Sequence, residues 1–377
     1  MGVVPFVESL KSFPDPRDTR GKRHSLGFVV AGVVLAIMSG RSSASGIHRY
    51  IRNKIDWLCD ILQMPDGEPI SRSHLPRFLA MLAWADLNEI IEEHFNVRIC
   101  LKTPGEWVAI DGKTLRGTTD EENKRGQRLL LAVTHTSRKI LAQRPMSGPK
   151  SHEVPAVREL LRQTGLAKAR VSLDALHCVP KTTSQVNLSG GGFIVQVKEN
   201  QKKLKTQLDD LAADAKPLTT HTMTDIAHGR VEIRRAAFFQ VNTIAFDEKW
   251  RDSGFQTLVT VKRTTRKNKN TKTTQELACY LTNQSVEKNM PDQTEELALA
   301  IRKHWSVEAD NWIRDVTFKE DRVKTKQGNQ AQVMASLRTL AMKLFRKANI
   351  KNFQEAIDNF ADCSEKYLDF LKKVRFL

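Results

Sequence analysis

The sequence predicts an α/β protein: a mixed sheet flanked by helices, preceded by an all-helical N-terminal unit and followed by C-terminal helices. Three observations predict this class. Apolar residues recur at helical spacing through the first hundred residues, short β-branched runs alternate with helical stretches from Trp107 onward, and helices return after Glu295. The middle part reads β-β-β-α-β-α-β-α, and this order predicts an RNase H-like core, in which a mixed sheet carries helices on its faces.

Residues 1–102 are predicted to form the helical N-terminal unit. Its helices are expected over Leu26–Met38, over Gly46–Leu62, after a cap at Ser71 or Ser73, and over Ala85–Ile99. A basic lead-in that includes Arg17, Arg20, Lys22 and Arg23 precedes the first of these helices.

Residues 103–214 are predicted to hold the first part of the RNase H-like core. The strands are expected at 107–111, 129–136, 139–144, 169–174 and 192–198, and the helices at Glu153–Gln163, Lys181–Leu188 and Lys202–Ala213.

Residues 215–290 are predicted to form a β-rich insertion, with strands at 231–241, 256–263 and 274–281. Its tip, Lys262–Lys272, carries six Lys or Arg residues and no acid. Such a run is a solvated loop in many proteins, but like charges repel unless phosphate neutralises them, so we expect a DNA-contacting hairpin. Residues 291–377 are predicted to be helical, over Glu295–Val316, over Gln330–Lys347 and in two short segments.

Composition limits the function classes. The 377 residues include 60 Lys and Arg against 43 Asp and Glu, a formal net charge of +17, which is typical of proteins that bind nucleic acid. The longest apolar run, Leu26–Met38, is shorter than the roughly 20 residues that cross a bilayer. The N-terminus also lacks the basic-then-apolar order of a secretory signal. We therefore expect a cytoplasmic protein with no membrane contact.

Cofactor signals are few. Five scattered cysteines without a CxxC pair predict reduced thiols and no disulfide framework. His177-Cys178 resembles half of a zinc site, but no second pair has ligand-like spacing, so zinc is not expected. The absence of a GxxxxGK[ST] loop argues against an ATPase or helicase, and no nucleotide cofactor is expected.

Two aspartates end apolar strands of the predicted sheet: Asp111 in AIDGK and Asp174 in VSLDA. Either residue alone is as often a helix cap or a turn former. A charged carboxylate at the end of a buried strand is costly unless it is paired or bound to a metal. Two of them on neighbouring strands favour a shared cation, and hard oxygen ligands select Mg²⁺ or Mn²⁺.

Glu308 is the best candidate for a third carboxylate. Trp305, Glu308 and Trp312 share one face of a predicted helix, so we expect Glu308 on the packed side. Other acids nearby are Asp310 and Asp315. Glu320 and Asp321 lie in a highly charged run, for which a solvated face is expected.

Several motifs in order resemble one known family. They are IDGKTLRG (110–117), LDALHC (173–178) followed by VKENQ (197–201), HGRVEIRR (228–235), HWSVE (304–308) and DVTFKEDR (315–322). The chain is similar, over nearly its whole length, to the H-repeat-associated (ISAs-type) insertion-sequence DDE transposases. The N-terminal unit resembles the helical associated domain of that family.

This resemblance implies a site and an activity. The catalytic and metal-binding triad would be Asp111, Asp174 and Glu308, holding two Mg²⁺ ions, for which Mn²⁺ would substitute. The implied substrates are the terminal inverted repeats of the element and a target DNA, and a homodimer is expected on DNA. Two alternatives stay open: a domesticated nuclease that cuts without joining, and a catalytically inactive DNA-binding protein derived from a transposase.

The sequence departs from the family pattern around Glu308. Ala309 stands where the family has Asn, and Ile301, His304 and Asp315 stand where a larger group of transposases has the Tyr, Arg and Lys that hold DNA phosphates. Asp315 cannot replace a Lys, so the usual phosphate grip is altered.

Basic residues near the carboxylates and on the insertion are candidate DNA contacts. Lys113 and Arg116 follow Asp111 directly and could reach the phosphate under attack, although a solvated turn is the alternative. Trp250 could stack on an extruded base, but core packing is expected. The full set of predicted DNA-binding residues is Lys113, Arg116, Lys198, Lys262, Arg263, Arg266, Lys267, Lys269, Lys272, Arg302, Lys303, His304 and Arg322.

Overall fold

A computed structural model describes residues 5–18, 22–95, 106–119, 126–146, 152–227, 229–267, 273–288, 290–322, 324–325 and 328–377. The helices before the sheet are α1 (Phe6–Ser9), α2 (Leu26–Met38), α3 (Ala44–Asn53), α4 (Ile55–Ile61), α5 (His74–Met81) and α6 (Trp84–His94). Those within and after it are α7 (Glu153–Thr164), α8 (Pro180–Leu188), α9 (Lys202–Asp214), α10 (Pro291–His304), α11 (Ser306–Trp312), α12 (Gln330–Lys347), α13 (Phe353–Asp362) and α14 (Ser364–Val374).

Nine strands form one mixed sheet. They are β1 (Trp107–Leu115), β2 (Gln127–Thr134), β3 (Ile140–Met146), β4 (Arg170–Leu173), β5 (Gly192–Val197), β6 (Thr219–Ala227), β7 (Arg230–Gln240), β8 (Thr257–Lys267) and β9 (Thr273–Thr282). The spatial order is β3-β2-β1-β4-β5-β9-β8-β7-β6. The β1–β4 and β4–β5 pairs are parallel, and all other neighbouring pairs are antiparallel.

The four strands from residue 219 to residue 282 extend this sheet, because β9 pairs with β5. Three of these strands match the predicted runs, whereas β6 was not predicted. Its sequence, TTHTMTDIA, has no apolar alternation, and its side chains are largely exposed on the last strand of the sheet. An edge strand held mainly by its backbone hydrogen bonds to β7 leaves little trace in a hydrophobic pattern.

The helices that precede the sheet in the sequence and those that follow it share one hydrophobic core. Every residue of α2 is buried, and Ser25 caps the helix by accepting a hydrogen bond from the Phe28 N–H. α12 packs against α2, α5 and α6, and the Tyr367 hydroxyl of α14 donates to the Leu35 carbonyl at 2.8 Å. This core also covers one face of the sheet, at Ala109, Leu131 and Val133.

The opposite face of the first five strands is covered by α7, α8 and α9. Its core contains Val108 and Ile110 of β1, which alternate with Ala109 as neighbouring residues of a strand do. The Trp250 side chain is buried in the same core, so core packing is confirmed for this residue. None of the helices in the described ranges is long and apolar enough to cross a lipid bilayer.

Two predicted helices are interrupted. Gly46–Leu62 is divided between α3 and α4 at Lys54, which has non-helical backbone angles. The stretch Glu295–Val316 is divided at Trp305 into α10 and α11, followed by a π-helical turn over Ile313–Thr317. The break changes which side chains face the sheet after residue 305.

Candidate active site

Asp111 and Asp174 lie at the same level of two adjacent parallel strands. β1 and β4 are in register at Ala109 and Ser172, and each aspartate follows two residues later. Adjacent strands are about 4.8 Å apart, so this register places the two aspartates side by side, just beyond the last paired residues of β1 and β4. The β1–β4 neighbour relation inferred from the sequence is confirmed.

Asp174 also caps the short 3₁₀ helix Ala175–His177, because its Oδ1 accepts a hydrogen bond of 3.0 Å from the Leu176 N–H. Asp174 therefore caps this helix, which was one of the roles considered from the sequence, and also lies beside Asp111. The turn is held from outside by two amides: Asn200 Nδ2 donates to the Ala175 carbonyl at 2.7 Å, and Gln201 Nε2 donates to the Cys178 carbonyl at 3.0 Å. The VKENQ and LDALHC motifs are thus in direct contact.

Glu308 lies on α11, which packs against β1 and β2. The expectation that it faces the packed side of its helix is wrong: Glu308 is exposed, and Trp305 and Trp312 are 42% and 60% exposed. Val307 and Asp310 are the buried residues of this helix. The two large aromatics suggested a buried face, but the helix instead turns them and Glu308 toward solvent.

The charges of the three carboxylates meet at Asp111. Burial first, and then the negative charges of Asp174, Glu153 and Glu308, raise the pKa of Asp111 to about 6, against the hydrogen bond from the Gly112 N–H. Neighbouring carboxylates disfavour the ionised form of such a carboxyl. A cation placed among them would stabilise that ionised form.

Glu153 is a fourth acid close to Asp111, and it was not among the site residues predicted from the sequence. It is buried at the start of α7 and forms an ion pair with Arg128. His177 Nε2 lies 3.6 Å from Glu153 Oε1 and 3.7 Å from Asp174 Oδ1. Burial opposes ionisation of Glu153, but His177 and Arg128 outweigh it and hold the pKa of this carboxyl below its usual value.

Gly112 explains how Glu153 comes so close to β1. A Cβ at residue 112 would lie 2.7 Å from Glu153 Oε1, closer than any side chain tolerates. Along β1, Asp111 and Lys113 point to the α11 face and Gly112 to the α7 face. The Gly in the IDGK motif is therefore the one sequence signal that could have indicated a group packed behind Asp111.

The donor chemistry fits a hard divalent cation, since carboxylate oxygens are the ligands that Mg²⁺ and Mn²⁺ prefer. Within the described residues, no three His, Cys, Asp or Glu side chains are already arranged to hold a metal ion. The pKa of Asp111 is raised first by burial and then by the neighbouring negative charges, and a cation would relieve the repulsion among these charges.

Lys113 does not have the predicted access to DNA. It is only 6% exposed, and its Nζ lies 2.5 Å from Asp315 Oδ1, 3.5 Å from Asp321 Oδ1 and 3.8 Å from Glu320 Oε2. Arg116, whose side chain is 82% exposed, lies at the edge of the same cluster, 3.7 Å from Asp321 Oδ2.

Glu320 is buried, so the expectation of a solvated face is wrong for this residue. Its carboxylate lies 3.7 Å from Arg314 Nη1 and 3.6 Å from Arg338 Nη1, both of which are buried, and it also faces Lys113. A buried charge is tolerated when opposite charges surround it. Arg314 is anchored further by hydrogen bonds to Thr339 and Gln143.

His304, predicted to contact DNA, is also buried. Its Nδ1 is 2.9 Å from the Ser172 hydroxyl, which in turn is 2.8 Å from His135 Nε2. Burial lowers the pKa of His304 to about 4, so the ring is neutral at pH 7. A neutral, buried imidazole is not a phosphate ligand, and the side chain instead fixes the end of α10 to β4.

The remaining predicted DNA contacts are distributed over the surface. Lys198 is exposed and lines, with Asp174, a cavity of about 520 Å³. Lys303 donates to Thr136 Oγ1 at 3.0 Å, and Arg302 lies 3.1 Å from Asp225 Oδ2. Arg322 is exposed after the acidic cluster.

The described residues include only part of the basic tip of the insertion. Lys262 and Arg266 are exposed on β8, and Arg263 pairs with Glu276 of β9. The backbone of Lys267 ends β8. Lys269 and Lys272 lie outside the described residues.

Two family models match the chain. One, described as "Transposase DDE domain", matches residues 102–344, and the other, "DDE_Tnp_1-associated", matches residues 7–95. Together they span the sheet, α11 and most of the helices before the sheet.

Curated relatives align along most of the chain. "Putative transposase YncI" of Escherichia coli O157:H7 is 24% identical over 355 residues, which cover 92% of this chain and 88% of the relative. "H repeat-associated putative transposase YhhI" of E. coli K12 is 24% identical over 353 residues, or 91% of each chain. "Uncharacterized protein in dhlA 3'region" of Xanthobacter autotrophicus is 27% identical over 291 residues, 75% of this chain and 95% of that protein.

Proposed function

The chain belongs to the transposase DDE domain family, and we propose that it is a DNA transposase that binds the terminal inverted repeats of its own element, cuts at the ends and joins the 3′-hydroxyls to target DNA. The observation that carries this proposal is the register of β1 and β4, which brings Asp111 and Asp174 to the same level of adjacent parallel strands. The charge of Glu308 also acts on Asp111, whose pKa is raised to about 6, first by burial and then by the neighbouring carboxylates.

The topology supports an RNase H-like catalytic core. β3, β2 and β1 form an antiparallel meander, and β4 and β5 continue it in parallel with β1. Asp111 lies on the central strand, Asp174 follows its parallel neighbour, and Glu308 comes from a helix that packs on the same strands. We propose that this arrangement brings the three acids together where an extended substrate can reach them.

Members of this family generally use divalent metal ions, and we propose that Asp111, Asp174 and Glu308 hold two Mg²⁺ ions, for which Mn²⁺ substitutes. When bound, such ions make water or a 3′-hydroxyl more nucleophilic and stabilise the leaving oxygen of an in-line displacement at phosphorus. The protein's part is to hold the carboxylates in place. No covalent protein intermediate is required, so the site does not need a Ser or Tyr nucleophile.

Surface cations would hold the DNA around these acids. Arg116 is exposed five residues after Asp111, and exposed Lys198 lines the same groove as Asp174, so we propose that both contact phosphates beside the carboxylates. We propose that the helical N-terminal unit and the basic tip of β8 bind more distant DNA. Because two element ends must be brought together, we propose a homodimer on DNA.

Strand cleavage and joining on a labelled duplex that carries the element's end tests this function. We expect Mg²⁺- or Mn²⁺-dependent cleaved and joined products from the wild type, and neither product from Asp111→Asn, Asp174→Asn or Glu308→Gln. Glu355→Gln on α13, an exposed acid remote from the sheet, is the matched control and should keep full activity.

The same gel separates the alternatives. Cleaved products without joined products would replace the transposase by a nuclease. DNA binding without chemistry in either metal would indicate a DNA-binding descendant in which the carboxylates no longer act.

A further inference from the structure

A basic cleft lies between α7 and α8, away from the carboxylates. It has a volume of about 590 Å³, and Gly165, Ala167 and Lys168 of the turn after α7 contribute to its lining. Its polar lining residues are Arg158, Glu159, Arg162, Lys168, Lys181, Gln185 and Ser189. We call this feature the α7–α8 cleft.

The positive charge of the cleft is largely uncompensated. Arg162 is paired with Glu159 at 2.6 Å, whereas Arg158, Lys168 and Lys181 form no ion pair within the described ranges. The hydrogen bond from Arg162, with the charges of Arg162 and Arg144, holds the pKa of Glu159 below its usual value. The one acid of the cleft is therefore ionised and already paired.

The scaffold beneath these cations is rigid. The Gln185 amide of α8 donates to the Arg158 carbonyl of α7 at 2.9 Å and ties the two helices together. Leu160 and Leu161 anchor α7 in the core beneath. Gly165, with φ of +73°, ends α7 and allows the turn that carries Lys168 across the end of the cleft.

The cleft is on a different face from the N-terminal helices. α7 and α8 cover the face of the sheet that contains Val108 and Ile110, and the N-terminal helices and α12 cover the face that contains Ala109. α7 begins at Glu153, beside Asp111, and its twelve residues extend about 18 Å from there. The cleft, which Pro155 and Arg158 of α7 line, is therefore within one helix length of the carboxylates.

We propose that the α7–α8 cleft binds the phosphodiester backbone of DNA that extends beyond the catalytic carboxylates, through Arg158, Lys168 and Lys181. These contacts touch phosphate, so they strengthen binding without regard to base sequence. The inference goes beyond the proposed function, which assigns no DNA contact to this face. It rests on DNA as the partner of the chain but not on the cutting or joining reaction.

Salt dependence of DNA binding in metal-free buffer tests the inference. Each phosphate contact contributes about 0.9 to the slope of log K against log salt concentration. We expect the triple variant Arg158→Gln, Lys168→Gln and Lys181→Gln to lose about 2 to 3 units of slope, equally for a duplex with the element's end and for an unrelated duplex of the same length. Fluorescence anisotropy titrations at NaCl concentrations from about 0.05 to about 0.3 M measure this slope.

The matched control removes the same total charge elsewhere. Lys216, Lys351 and Lys372 are exposed and do not line the cleft, and their triple Gln variant should keep the wild-type slope. Equal slopes for the two triple variants would overturn the inference, provided both show the wild-type thermal unfolding temperature. A wild type that binds neither duplex would overturn the inference and the proposed function together, whereas loss of cleavage alone in Asp111→Asn would leave the inference standing.

Discussion

Lys113 and Asp315 form a salt bridge of 2.5 Å that joins the strand of Asp111 to the turn that follows Glu308. Lys113 is two residues after Asp111, and Asp315 is seven residues after Glu308. The contact therefore fixes two catalytic candidates relative to each other.

We expect Lys113→Met to destabilise the protein by about 3 to 5 kcal/mol, because it leaves Asp315, Asp321 and buried Glu320 without their shared cation. Asp315→Asn should cost less, since Lys113 keeps two other acids. Urea unfolding followed by circular dichroism measures both free energies of unfolding. A loss below about 1 kcal/mol for Lys113→Met would show that the cluster does not hold the strand and the turn together.

Asp111→Asn should stabilise the fold at neutral pH while it abolishes activity. The pKa of Asp111 is about 6 in the folded protein, above the ordinary value of 3.8, so folding favours the protonated carboxyl. This favourable contribution is complete below pH 3.8 and is lost as the pH rises through 6. At pH 7.5 the variant should exceed the wild type by up to about 3 kcal/mol in free energy of unfolding, and the difference should vanish near pH 4.

The exposed Asp358→Asn on α13 is the control for this pH series and should follow the wild type throughout. Mg²⁺ should raise the unfolding temperature of the wild type but not of Asp111→Asn, because a ligand stabilises only the state that binds it. If Asp111→Asn were less stable than the wild type at pH 7.5, the folded protein would not disfavour the ionised form of Asp111, contrary to its raised pKa.

Asn200 is predicted to position Asp174. Its amide holds the Ala175 carbonyl at 2.7 Å, so Asn200→Asp removes the donor with little change of shape. We expect cleavage to fall about 10- to 100-fold and the Mg²⁺ concentration for half-maximal rate to rise, with DNA affinity unchanged. Gln207→Ala on α9, which breaks a similar 3.1 Å bond to the Ala245 carbonyl, is the control. An equal loss in both variants would reduce Asn200 to a general structural role.

Gly112→Ala should displace Glu153, because the added Cβ would meet its carboxylate at 2.7 Å. We expect a loss of about 1 to 3 kcal/mol in free energy of unfolding. The double variant Gly112→Ala with Glu153→Asp, in which the shorter acid leaves room for the methyl group, should recover part of this loss in a double-mutant cycle. Additive losses would show that the two residues are not in contact.

The sequence predicted the position of the two aspartates because the signal is local. Each follows an apolar run, and the parallel pairing of β1 with β4 stops just before both aspartates, although β1 itself continues to Leu115 and so does not end at Asp111 as predicted. The first five strands were predicted from the same short runs. The interruption at Trp305 was not predictable, since a continuous helical pattern carries no mark of where a helix changes direction.

The environments of charged residues were harder to predict. Lys113 was expected at the DNA, yet its partner Asp315 is 202 residues away in the sequence. His304 is neutralised by burial against Ser172, another distant contact. Spacing along the chain shows which side chains share a face of a helix or strand, but only the tertiary structure determines whether that face meets solvent, a counter-ion or the core.

Replacement of the triad by cysteine, one position at a time, tests the central claim most directly. A thiolate binds Mg²⁺ poorly and softer metals better. We predict that Asp111→Cys, Asp174→Cys and Glu308→Cys cleave the element's end negligibly in Mg²⁺ and regain cleavage in Mn²⁺, whereas Asp358→Cys stays active in both. Full Mg²⁺-dependent cleavage by any of the three variants, or no recovery at any of the three positions in folded, DNA-binding protein, would contradict the assignment of these carboxylates as the metal-binding triad.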